Sequence, residues 1–198
     1  HFLLKCMGPY LHTSHMLIVQ WDGYVVDPDM WRNEFLEADY IGAVWPQFND
    51  EHRVGNGGFS LRSRKLLDAL THEDISPQHP EDTCIARTYR TLLEKRWDIK
   101  FADEALAHQF AFERMRTLDS SFGFHGLSNL AELLSASELA TFIEHAPPPL
   151  FGTVEARGFI KRLIRRKMNA LAKQALYKRR QSKHLDLADI RLWARLAF

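Results

Sequence analysis

The sequence predicts an α/β protein that turns wholly helical toward its C-terminal end, and three observations predict it. Short apolar runs at 15–21, 39–45 and 59–62 have the length and the β-branched and aromatic content of strands. Segments with helical spacing at 63–71, 83–96 and 128–146 alternate with or follow them, the pattern of an α/β fold. The charge is also partitioned: residues 1–151 carry 13 Lys and Arg against 22 Asp and Glu, whereas residues 152–198 carry 13 against 3.

Taken in order, residues 2–11 read as helix until Gly8-Pro9 interrupts them. "HMLIVQW" at 15–21 reads as a buried strand running into a turn at Asp22-Gly23. "MWRNEFLEA" at 30–38 has the spacing of a short helix, and "DYIGAVW" at 39–45 is a second strand, stopped by Pro46. Asn56-Gly57 is a strong turn signal, and "FSLR" after it alternates like a half-buried strand. Ser63 is a helix cap for 63–71. Residues 83–96 align Ile85, Tyr89, Leu92 and Leu93 on one side of a helix, and 99–102 reads as a strand. A helical or extended segment at 103–115 precedes a glycine-punctuated loop at 120–126. One helix is expected over 128–146, ended by three prolines, and one long basic helix over 156 to about 180. These breaks divide the chain into 1–146 and a basic, mostly helical extension, 147–198.

At 198 residues, 45% hydrophobic and 12% aromatic, the chain can bury a core and is not disordered. The two cysteines, Cys6 and Cys84, form neither a zinc pattern nor a disulfide framework, which fits a reducing, cytoplasmic setting. No apolar run reaches the ~18–20 residues that a membrane-spanning helix needs.

Four short segments carry residue types suited to chemistry. Three glycines within four positions, Gly55, Gly57 and Gly58, surround Asn56. Neither a dinucleotide fingerprint nor a P-loop is present, so the segment is either a tight turn or bare backbone that a flat polar ligand can approach. Asp22 follows an apolar strand and precedes Gly23; it is either a turn former or a cation-binding carboxylate. Glu81 and Asp82 precede a helix, as solvated caps or as a general base for a hydroxyl. His125, in "FGFHG", is a structural imidazole or a ligand for metal or phosphate. Trp21, Trp45 and Phe59 are flat faces for a sugar or a base ring, or for the core.

Taken together, "HMLIVQWDGYVV", "DYIGAVW", "VGNGGFSLRSRKLL", "PED", "FAFE" and "FGFHG" resemble a bacterial family of uncharacterised glycosyltransferases with the GT-A-type fold. The resemblance covers about residues 2–126. It implies a GT-A-like domain over 1–146 that transfers a sugar from a nucleotide donor, UDP-linked, to a glycan or lipid-linked acceptor. It implies that Asp22 is the metal-binding acid, although Gln20-Trp21-Asp22 has one acid where Asp-x-Asp has two. His125 resembles the late histidine that completes a metal site, with Mn²⁺ or Mg²⁺ as the cofactor. Asp82, or Glu81 in second place, resembles the catalytic base. Gly57 and Gly58, with Asn56 and Trp21, resemble the substrate-binding surface. Only 14 residues precede the strand expected at 15–21, so the first βα units, which normally carry the nucleotide half, are expected to be missing.

The basic extension has apolar positions Phe159, Ile160, Leu163, Ile164, Met168, Leu171, Ala175 and Leu176 at helical spacing. Three uses compete. The stripe packs on the body, or 156–183 lies on an anionic membrane surface near the acceptor, or the charge meets another macromolecule. No base-reading motif accompanies it, which argues against nucleic acid. The rival from another class is a degenerate, non-catalytic glycan-binding module of the same fold.

Overall fold

The computed structural model describes residues 2–114 and 121–197, the last without its side chain. The chain forms two compact units, His1–His125 and Gly126–Phe198. The boundary expected at 146/147 lies inside the second unit. The fold is mixed α/β, with all the described strands in the first unit.

In the first unit, the short helix α1 (Phe2–Lys5) and a 3₁₀ turn (Gly8–Tyr10) lead into β1 (His15–Val19). β2 (Tyr24–Val25) follows, and the helix expected at 30–38 is instead a 3₁₀ segment, Asn33–Glu37. Then come β3 (Tyr40–Gly42), β4 (Phe59–Ser63) and α2 (Arg64–Leu70). Ser63 caps α2 as its sequence predicts, its hydroxyl accepting the Leu66 N–H at 3.0 Å. The helix expected at 83–96 is divided: α3 (Glu81–Thr83), a π-helical turn (Cys84–Thr88) and α4 (Arg90–Trp97). The strand expected at 99–102 contributes a single bridge, Tyr40 to Phe101. α5 (Glu104–Phe110), β5 (Ala111–Phe112) and β6 (Gly123–Phe124) complete the unit.

β4 is the centre of an antiparallel sheet, β1-β4-β3, which explains why β1, at the edge, is half-buried rather than fully buried as expected. β4, expected to be half-buried, is buried along its whole length because both of its faces are covered, and its alternation separates two environments. Phe59 and Leu61 enter the core with Ile41, Phe35, Phe110 and Phe122. Ser60 and Arg62 alternate to the other face, which Tyr40 shares. A second core lies there, built from Leu66, Leu67 and Leu70 of α2 with Ile85, Leu93 and Ile99. A small second sheet pairs β6 antiparallel with β2 and parallel with β5.

The second unit is helical throughout: α6 (Leu127–Leu133), α7 (Ala136–His145), α8 (Pro148–Phe151), α9 (Val154–Arg165), α10 (Asn169–Ser182) and α11 (Leu187–Ala197). The single helix expected over 128–146 breaks at Leu134, because Ser135 and Glu138 form a capping box that starts α7 afresh. The long basic helix also breaks. Lys167 takes a left-handed conformation (φ 60°), and Arg166 turns its guanidinium onto the carbonyls of Ala131 and Leu134 at the end of α6. The apolar stripe of α9 (Ala156, Phe159, Ile160 and Leu163) is buried within the unit, with Phe159 against Phe142 and Phe151. No described helix is long and apolar enough to cross a membrane.

Candidate functional site

Backbone pairing brings the four candidate segments together at one end of β4. Gln20 extends the β1–β4 ladder, its N–H donating to the Gly58 carbonyl at 2.8 Å. The chain then turns tightly, with Gly23 N–H on the Gln20 carbonyl at 3.0 Å, and enters β2. Because β2 pairs with β6, the turn lies against the residue that follows β6, His125. Gly23 is required at this approach: a Cβ there would sit 2.5 Å from the Phe124 carbonyl oxygen.

The result is a close pair. Asp22 is 92% buried and its Oδ1 lies 3.1 Å from His125 Nε2. That oxygen accepts no other hydrogen bond among the described residues. Gln20 Oε1 is 3.1 Å from the same imidazole nitrogen, and Glu113 Oε1 is 3.9 Å from Nδ1. Burial pulls the imidazolium down, but the Asp22 hydrogen bond and charge, with Glu113 and Asp82 behind them, outweigh it and raise the His125 pKa. Burial pushes the Glu113 carboxyl up, opposed by Arg114 and His125 and reinforced by Asp22 and Asp82.

The glycines face the same groups. A Cβ on Gly58 would fall 2.2 Å from His125 Nε2, and one on Gly57 would meet Arg62 Nη2, Asp82 Cβ and Glu81 Oε1 at 2.8–2.9 Å. The bare backbone therefore first admits the protein's own acids, guanidinium and imidazole. Asn56 shapes the turn: it is buried, and its Oδ1 accepts the Gly58 N–H at 3.1 Å. The Gly57 N–H donates to Asp82 Oδ2 at 3.2 Å, and the Thr83 N–H donates to Oδ1 at 2.7 Å, so the Asp82 carboxylate is held from both sides.

Glu81 is held differently. It accepts from Arg62 Nη2 at 2.7 Å, and Arg62 is wholly buried. Arg62 also donates to Ser60 Oγ at 3.1 Å and lies over the Tyr40 ring. Burial pushes the Tyr40 phenol well above its ordinary range; its hydroxyl donates to the Gly55 carbonyl at 2.6 Å.

The structure thus gathers Asp22, Asn56, Gly57, Gly58, Glu81, Asp82 and His125. Trp21, on the turn beside Asp22, is 61% exposed, whereas Trp45 and Phe59 are core residues. Sequence reasoning missed Gln20, Arg62 and Glu113. Glu113 ends the "FAFE" segment and Arg62 lies within "FSLRS", so both were in view without a role. Two open surface clefts, one beside Trp97 and one beside Trp31, share no residue with the cluster.

Among the described residues, no group of three or more His, Cys, Asp or Glu is arranged to hold a metal ion. Asp22 and His125 supply two donor types that a hard cation accepts, a carboxylate oxygen and an imidazole nitrogen, but their 3.1 Å separation is that of the hydrogen bond between them.

A family model described as a protein of unknown function (DUF5672) matches residues 9–125, most of the first unit. No curated protein and no solved structure matches the chain.

Proposed function

The chain belongs to the DUF5672 family, whose function is unknown, and for it we propose metal-assisted glycosyl transfer from a nucleotide sugar, UDP-linked, on a GT-A-like domain. One observation carries the reading: Asp22, His125 and the Glu81-Asp82 pair meet around Gly57-Gly58. The resemblance of "QWDG", "VGNGGFSLRS" and "FGFHG" to GT-A-type glycosyltransferases supports it.

Asp82 is the base. It takes the proton of the acceptor hydroxyl as that oxygen forms its bond to the sugar C1 and the bond from C1 to the diphosphate breaks. Glu81 is less suited, because the Arg62 guanidinium occupies its carboxylate. Asp22 and His125 would hold Mn²⁺ or Mg²⁺, which supplies Lewis-acid neutralisation of charge on the departing diphosphate. Gln20, close to the His125 ring, sets its orientation. Trp21 offers its exposed ring to a sugar face. The acceptor is a glycan or a lipid-linked saccharide.

The test is release of UDP from a panel of UDP-sugars by the full chain with Mn²⁺. A positioned base contributes ~10²–10⁴-fold, so Asp82→Asn is expected to lose activity by that range. Unchanged release in both Asp82→Asn and Asp22→Asn would end the assignment. Mn²⁺-independent glycan binding without turnover would instead favour a degenerate binding module, a reading that the single acid of Gln20-Trp21-Asp22 supports.

A further inference from the structure

The second unit carries 13 Lys and Arg against 6 Asp and Glu, and the structure sorts its cations into two sets. One set is built into the fold. Arg157 and Arg179 bind Asp189, which is wholly buried, and Arg157 and Lys183 also bind Asp186. Arg179 further donates to the carbonyls of Phe151 and Thr153, Lys178 to those of Glu144 and Ala146, and Arg166 to those of Ala131 and Leu134. Each of these cations is engaged by a carboxylate or a backbone carbonyl of the same unit.

The other set is exposed; Lys161 and Arg165 of α9 and Lys167 after it belong to it, as do Lys173 and Arg180 of α10 and Arg191 and Arg195 of α11. On α10, residues 170, 173, 174, 177, 180 and 181 face solvent, a single helical face with Lys173, Arg180 and Tyr177 on it. On α11, the exposed positions 187, 190, 191 and 194 also form one face: Leu187, Ile190, Arg191 and Ala194, with Arg195 beside them. Leu187 is 74% exposed, Ile190 53% and Tyr177 56%. The two faces meet, because the Tyr177 ring packs edge-on against half-buried Trp193 at 5.0 Å. α10 contains no acidic residue, and the one acid of α11, Asp189, is buried.

We propose that the outward faces of α10 and α11 dock on the surface of an anionic lipid bilayer. Aliphatic side chains that water does not favour, an aromatic pair at their edge, and a fringe of Lys and Arg, with the exposed acid beside it, Asp186, already bound by Arg157 and Lys183, together match the acyl–headgroup boundary of such a membrane. The charge selects anionic headgroups, and Leu187 and Ile190 enter the acyl region. This surface is distinct from the apolar stripe of α9, which is used inside the unit. The proposal does not depend on the catalytic reading.

The experiment is co-sedimentation of the full chain with phosphatidylcholine vesicles, with and without about a third phosphatidylglycerol. Binding is expected to the anionic vesicles and to weaken steeply with salt. Each Lys or Arg at a membrane surface contributes about fivefold in affinity, so Arg180→Gln/Arg191→Gln/Arg195→Gln is expected to lose ~100-fold. Leu187→Ser/Ile190→Ser is expected to lose at least ~10-fold from lost apolar burial. Fluorescence of the otherwise unaltered chain is the second measurement: a blue shift on adding vesicles that Trp193→Phe removes, which decides the matter if the serine variant misfolds. Equal binding to neutral and anionic vesicles, full binding by the triple variant, or retention on a single-stranded oligonucleotide but not on vesicles would each overturn the proposal.

Discussion

Replacing Gly58 with alanine tests the packing of the site most sharply. The new Cβ would lie 2.2, 2.3 and 2.4 Å from Nε2, Cδ2 and Cε1 of His125. Ordinary carbon contacts are about 3.5–4.0 Å, so the ring must retreat by more than about 1 Å. That retreat separates it from Asp22, now at 3.1 Å, and from Gln20. Overpacking of this kind costs ~1–3 kcal/mol. The smaller conformational freedom of alanine in the unfolded chain returns ~0.4–1 kcal/mol. A net change between about zero and a loss of about 2.6 kcal/mol follows from those two figures. Urea unfolding followed by circular dichroism measures it, with Gly8→Ala as the control. There the Cβ meets only Asp68 Oδ1, at 3.5 Å, so the same gain of ~0.4–1 kcal/mol should appear without a crowding cost. The functional loss in Gly58→Ala should exceed the stability loss, because the displaced imidazole is a metal-site candidate. A Gly58→Ala protein stabilised as much as Gly8→Ala, with UDP binding intact, would refute the crowding argument.

Arg62→Met leaves Glu81 without its buried partner and is expected to cost about 3–5 kcal/mol, read as a lower urea midpoint; Arg62→Lys should restore only part of it, lacking the planar fork. In the second unit, Asp189→Asn uncouples Arg157 and Arg179 and should destabilise that unit by a similar amount, about 3–5 kcal/mol, in the same assay. The His125 pKa is raised in the folded protein, so its pairing stabilises the fold fully below the unfolded histidine pKa, and the stabilisation is lost as pH rises through the folded value. The stability difference between the parent and His125→Gln should therefore be largest near pH 6 and shrink toward pH 8, as ~6.5 is the unfolded reference; a difference that grows with pH would contradict the assignment of the pair.

The parts of the fold legible in the sequence were those written in local chemistry. Ser63 announced the start of α2, the alternation of Phe59 to Arg62 announced β4, and Asp22-Gly23 announced a turn after a strand. The capping box that divides 128–146 was also present, as Ser135 and Glu138, but the continuous apolar spacing around it masked it. The break at Lys167 had no such signal, since lysine is not a usual left-handed terminator; a tertiary contact, Arg166 on the end of α6, accompanies it. Within the site, residue types were readable and partners were not. The close approach at Gly23, Gly57 and Gly58 depends on segments as far apart as β1 and β6, and only their pairing shows that the glycines make room for His125, Arg62 and the two acids. Arg62 reads as a solvated strand residue until the second core is known to cover its face.

The central claim, a cation-dependent nucleotide-sugar site at Asp22 and His125, is tested most directly by calorimetric titration of UDP into the full chain with and without Mn²⁺. The account predicts binding that requires Mn²⁺ in the parent and is abolished in Asp22→Asn with the fold intact. Binding of equal strength without the ion, or undiminished in Asp22→Asn, would contradict it.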